Sequence, residues 1–183
     1  MSKVVYIDVE TTGLDPDTCQ VLEIAVLVDD LSQEFNPSKW SCYVRHPLIR
    51  GEVDALGMHS SWIHETKNGI DPSMVSNRMC DFLSKHFREG DLVIGGKNVA
   101  FDVRFLATLP GFTLEGSRLR IKYTYTCSSR YVDPGMLFWN KGPRPGIPSL
   151  AEIAALCGIE YTAHRAMDDC MATALCVRKG LGC

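Results

Sequence analysis

The sequence predicts an α/β domain: a mixed central sheet of three antiparallel strands plus parallel strands, flanked by helices. Three observations carry this. Three short apolar stretches near the start are joined by short, turn-rich links, the pattern of an antiparallel meander. After them, segments of helical spacing alternate with short strands, as in a domain built on one mixed sheet. The 183 residues contain no internal repeat, low-complexity run or linker, so residues 1–183 are expected to form one domain with a sizeable core.

Each element has a local reason. Residues 3–9 read as a buried strand that runs into carboxylates, Tyr6-Ile7-Asp8-Val9-Glu10. Thr11-Thr12-Gly13 is turn chemistry, and Asp15-Pro16-Asp17 extends the loop. Residues 20–28 form a second, nearly continuous apolar strand, and residues 40–45 a third. Residues 52–65 read as helical or turn-rich. Asp71 is an N-cap with Pro72 at the first helical position, and Val75, Met79, Phe82, Leu83 and Phe87 follow on one face. Leu92-Val93-Ile94 is a short buried strand ending in Gly95-Gly96. Residues 99–109 read as a helix with Phe101, Phe105, Leu106 and Leu109 turned inward, and residues 119–127 as a strand. Prolines and glycines make 134–148 loop-rich. Ser149 caps a helix through Cys157, with Glu152 completing a capping box. A last helix runs from about 166 to 179.

Composition narrows the classes. A chain 45% hydrophobic and 22% charged is ordinary for a globular protein. No apolar run is long enough to span a membrane, the N-terminus has no signal pattern, and a cytoplasmic location is expected. The 8 cysteines include no C-x-x-C pair, and Cys170, Cys176 and Cys183 fit no zinc template. Reduced thiols, mostly in the core with Cys183 exposed, are expected. Net charge is −3, but it is uneven. Residues 1–99 carry 9 basic and 15 acidic groups, whereas residues 100–144 carry 7 basic and 3 acidic. That basic stretch either faces a polyanion or is a scatter of solvated charges.

Three clusters could do chemistry. Asp8 and Glu10, two apart on a strand, point to one face while Val9 points away. Two carboxylates on one face repel unless a cation lies between them. Asp102, in "NVAFDVRFL", lies near a helix start, where a helix dipole alone would also favour it. The neighbouring Gly95-Gly96-Lys97 is no phosphate loop, because Asp91 and Asn98 occupy two required positions. In "TAHRAMDD", His164 precedes the last helix and Asp168 and Asp169 open it. Residues five apart on one helix diverge, so His164 is expected in the preceding loop.

Together these form an ordered set: D-x-E, then a mid-chain Asp, then His-x-x-x-x-Asp. "DVETTGL", "NVAFDVRFL" and "HRAMDD" resemble the three motifs of the DEDDh (DnaQ-like) 3′→5′ exonucleases. That ribonuclease H-like group contains proofreading subunits, ribonuclease T and oligoribonuclease. The resemblance spans residues 4 to about 177. It implies that Asp8, Glu10, Asp102 and Asp169 bind two divalent ions, with Mg²⁺ or Mn²⁺ favoured by hard oxygen ligands. It implies His164 as general base for the attacking water, and leaves Asp168 as an exposed helix-start charge. The implied partner is the 3′ end of a single-stranded nucleic acid.

Further positions follow from the same resemblance. Thr11, Thr12 and Leu14 match positions that contact the terminal nucleotide, Leu14 as an apolar wedge; Thr-Thr-Gly also simply builds a turn. Asn98 and Phe101 line the second motif, Phe101 by packing. Met58-His59 matches an aliphatic-His pair beside the cleft, and Trp62 either stacks on a base or is buried. Arg130-Tyr131-Val132-Asp133 resembles an oligoribonuclease run whose Arg holds a terminal phosphate. Ser129 and Gly135 depart from that pattern, which leaves RNA against DNA open. Oligoribonuclease-like action on short RNAs and a polymerase accessory are the alternatives, the latter with no tether in the sequence. A silent binding module would have lost ligands that this chain keeps. Family members are often homodimers.

Overall fold

The computed structural model describes residues 3–183. β1 (Lys3–Thr11), β2 (Val21–Asp30) and β3 (Ser38–Tyr43) form the expected meander, β2 antiparallel to both neighbours. Then come α1 (Val53–Met58), a 3-10 helix (Ile63–Asn68) and α2 (Pro72–Leu83). β4 (Gly90–Leu92) and β5 (Ile94–Gly95) precede α3 (Ala100–Leu106). β6 (Phe112–Glu115), β7 (Arg118–Ile121) and β8 (Tyr125–Cys127) follow, then α4 (Pro134–Leu137), α5 (Leu150–Cys157) and α6 (Ala166–Leu181).

Two sheets form, not one. The first runs β3-β2-β1-β5, with β5 parallel to β1: three antiparallel strands plus a parallel one, as predicted. The second runs β4-β8-β7-β6. The predicted strand at 92–94 is what divides between them. Gly90–Leu92 pairs with β8, while Ile94–Gly95 pairs with β1, so the chain changes sheets at Val93. The predicted strand at 119–127 is a hairpin, because Lys122 takes a left-handed backbone (φ 53°) and turns the chain between β7 and β8. β6 was not anticipated; Phe112 is its one buried residue, so it carries no apolar run to read.

Side chains on β1 alternate between two cores. Val5, Ile7 and Val9 face a cluster that includes Val75 and Met79 of α2, Val103 and Phe105 of α3, and Leu119, Ile121 and Tyr125 of the second sheet. Val4 and Tyr6 face the other way, against Ala166, Cys170, Ala174 and Val177 of α6. Those α6 residues recur at helical spacing and are small, which lets the helix lie close on the sheet. The α2 cap and the α5 capping box form as predicted: Asp71 accepts from Ser73 N–H, and Ser149 and Glu152 bond reciprocally. Among the described residues no helix is long and apolar enough to cross a membrane, and all 8 cysteines are free thiols.

Candidate active site

The row that starts with Val4 and Tyr6 continues as Asp8 and Glu10. Both carboxylates therefore project toward α6, and they meet Asp169 from its first turn. One oxygen from each of Asp8, Glu10 and Asp169 lies within 4.8 Å of the others. Glu10 is buried, and Asp8 and Asp169 are partly so. The β1–β2 ladder slips between Glu10 and Thr11, a bulge that ends the strand where the site begins.

Asp102 stands beside this trio. In a strand, N–H groups on one edge recur every two residues. Val5 N–H donates to Val93 O on the β5 edge, so Val9 N–H faces the same edge, beyond the end of β5. Asp102 Oδ1 accepts that N–H at 2.9 Å. A buried backbone donor is thereby satisfied, and α3 is fixed to the tip of β1.

Like charges out of water shift their titration. Burial and then Asp102 push the Asp8 carboxyl well above its usual range. Burial and then Asp169 raise Glu10 from 4.5 to about 8. Burial raises Asp169 from 3.8 to about 6, opposed by the backbone N–H of His164. Burial raises Asp102, with the Val9 N–H opposing it. His59, 2% exposed, places Nε2 3.5 Å from Glu10 Oε2. Burial lowers the His59 pKa and raises that of Glu10, so it disfavours the charged form of each.

His164 is exposed in the loop before α6, as expected, and its backbone N–H donates to Asp169 Oδ2 at 3.1 Å. Its φ of 67° is left-handed, which costs a non-glycine residue about 1–2 kcal/mol and persists where the surroundings enforce it. Asp168 is exposed.

The remaining predicted contacts divide. Leu14 is 73% exposed and free to act as a wedge, and its N–H is held by Glu52 Oε1 at 3.0 Å. Thr12 is fully buried with Oγ1 accepting from Gln20 N–H, so its side chain builds the turn; Thr11 Oγ1 donates to Gly13 O. Segment 50–52 crosses this turn closely, Glu52 N–H donating to Thr12 O; a side chain at Gly51 would strike that carbonyl. Asn98 is exposed, in a left-handed turn held by Asp133 Oδ2. Phe101 packs on Phe105, ring centroids 4.8 Å apart. Arg130 is exposed. Trp62 is buried, stacked on Tyr43 and tilted against His59, so of its two readings the buried one holds. A cleft of 440 Å³ between Met58, Trp62 and His164 opens beside the site.

Glu23 and Arg165 were missed. Arg165 Nε donates to Glu23 Oε2 at 3.2 Å, and Glu23 pairs across the ladder with Glu10. The signal was present: Glu23 is the one charged residue in the apolar run 21–28.

No family model matches the chain. It is 29% identical over 115 residues to the oligoribonuclease of Tropheryma whipplei (strain Twist), covering 57% of this chain and 59% of that protein. It is 30% identical over 122 residues to the oligoribonuclease of Pasteurella multocida (strain Pm70), covering 56% and 59%. The chain thus spans about three fifths of the curated relatives it matches. Escherichia coli exonuclease I in complex with a dT13 oligonucleotide superposes with a TM-score of 0.71 at 19% identity, over 100% of this chain and 42% of that one. The fold is therefore the ribonuclease H-like fold of exonuclease I. The sequence relatives that the chain matches are named oligoribonucleases.

Proposed function

We propose that the chain is a metal-dependent 3′→5′ exonuclease that hydrolyses the 3′-terminal phosphodiester of single-stranded RNA or DNA, releasing nucleoside monophosphates. The observation that carries this is the meeting of Asp8, Glu10 and Asp169 within 4.8 Å, with Asp102 at their side. Burial raises every one of these carboxyl pKa values, and holding them charged there is costly unless cations occupy the site. The donors are all hard oxygens, which suits Mg²⁺ or Mn²⁺.

In this reading Asp8, Glu10, Asp102 and Asp169 hold two divalent ions. When bound, the pair supplies Lewis-acid stabilisation for an in-line displacement at phosphorus. His164 accepts the proton of the attacking water, a role suited to an imidazole near neutral pH. The water oxygen bonds to phosphorus, the bond to the 3′-oxygen breaks, and the shortened strand keeps that oxygen. Leu14 wedges the terminal base, with Thr11, Asn98 and Phe101 lining the approach and His59 backing Glu10. A second reading, preference for short RNAs, is favoured by two observations. The curated relatives are named oligoribonucleases, and Arg130, the residue whose run resembles theirs, is exposed.

Asp169→Asn tests the site. The variant should fold with an unchanged circular dichroism spectrum, lose Mn²⁺ binding in calorimetry and lose hydrolysis of single-stranded oligomers. A variant that cleaves like the wild type would remove Asp169, and this centre, from the reaction.

A further inference from the structure

His164 sits in a loop between two helices, in a strained backbone, and proton transfer requires its ring to be placed well. Asp169 holds the loop from one side through the His164 N–H. Arg165 holds it from the other. Its Nε and Nη2 lie 3.2 and 3.4 Å from the two oxygens of Glu23, and Nη2 also donates to Tyr43 Oη at 2.7 Å. The guanidinium lies over the Trp62 ring at 5.3 Å and the Tyr43 ring at 5.9 Å. Ala166 N–H, the first of α6, reaches Glu23 Oε2 at 3.4 Å.

Glu23 itself needs a reason. It is 4% exposed and faces Glu10 across the ladder. A fifth carboxylate there works against the site unless it has another task. The Arg165 guanidinium supplies that task. Its planar fork matches a carboxylate in two bonds and stacks on aromatic faces, a combination lysine lacks.

We infer that Arg165 and Glu23 form a latch that fixes the His164 loop to the central sheet, making both positioning residues for the hydrolytic step. The inference rests on the exonuclease reading for its kinetic consequence, but the latch itself is observable without catalysis. The Arg165 side chain bonds Glu23 and Tyr43, while its backbone carbonyl accepts the Asp169 N–H at 3.0 Å; it acts on His164 by holding the adjacent peptide.

Four proteins test this: wild type, Arg165→Met, Arg165→Lys and the double variant Glu23→Gln/Arg165→Met. The double variant leaves no unpaired charge buried, so its thermal midpoint should lie near that of the wild type even if Arg165→Met alone unfolds. Amide exchange at residues 164 and 165 should nonetheless accelerate in it. With saturating Mn²⁺ and a single-stranded oligomer, its kcat should fall by about 100-fold, as for a misplaced catalytic group, with KM nearly unchanged. Arg165→Lys should recover part of that kcat, since one bond to Glu23 remains. Three results overturn the latch: wild-type kcat in the double variant, unchanged exchange at 164 and 165, or a rise in KM with kcat intact. The last would make Arg165 a substrate contact. A wild type that hydrolyses nothing would instead sink the exonuclease reading, and the exchange rates alone would then decide the latch.

Discussion

At the scale of single residues, the site shows how burial and charge set chemistry. Asp8 and Glu10 occupy positions that continue an apolar row, and the strand places them against α6 whether or not the contact is favourable. Burial and neighbouring carboxylates favour the protonated forms of both. The folded pKa of Glu10 is about 8 against an ordinary 4.5, so between those values the folded state binds more protons than the unfolded one. Stability contributed by protonated Glu10 is therefore full below pH 4.5 and is lost as pH rises toward about 8. Without metal, the thermal midpoint should fall across that window, and the fall should be smaller in Glu10→Gln. Saturating Mn²⁺ should raise the midpoint most at the alkaline end, where fewer protons must leave. Thermal melts from pH 4 to 9, with and without Mn²⁺, check this; a midpoint of wild type and variant that runs parallel throughout would refute the assignment.

At the scale of elements, the site depends on α6 being seated on β1 and β2. Small residues allow the approach, and a buried ion pair fixes the far end. Arg178 binds Asp29 through two bonds of 2.8 Å and the Asp30 carbonyl through a third, with Arg178 6% and Asp29 1% exposed. Arg178→Met would leave Asp29 charged and unpaired, and should destabilise the fold by about 3–5 kcal/mol in denaturant unfolding. Asp29→Asn/Arg178→Met should recover much of that loss. Elements of this kind were legible where the cue was local. Asp71 before Pro72 and Ser149 with Glu152 announce their helices, and each cap forms. The sheet change at Val93 was not legible, because 92–94 is apolar throughout and only the partners differ. The hairpin at Lys122 was hidden for a related reason: a left-handed lysine has no glycine or asparagine to mark it. The three acidic motifs could be read because their order along the chain is distinctive. The Arg165–Glu23 contact could not, since it joins residues 142 apart and each alone is an ordinary charge.

At the scale of the whole molecule, elements from three separate parts of the chain converge on the end of one strand. On the proposed reading, β1 supplies two carboxylates, α3 a third and α6 a fourth, while the loop before α6 supplies the histidine. Each arrives from a different part of the chain, so the fold assembles a centre that no segment contains. The account's central claim is that this centre shortens single strands from the 3′ end with divalent metal. The most direct measurement is a time course on 5′-labelled RNA and DNA oligomers, from two nucleotides to about twenty, with Mg²⁺ or Mn²⁺ and with EDTA. The account predicts a ladder descending one nucleotide at a time from the 3′ end, abolished by EDTA. Full-length strands persisting for every RNA and DNA oligomer with either metal would contradict it.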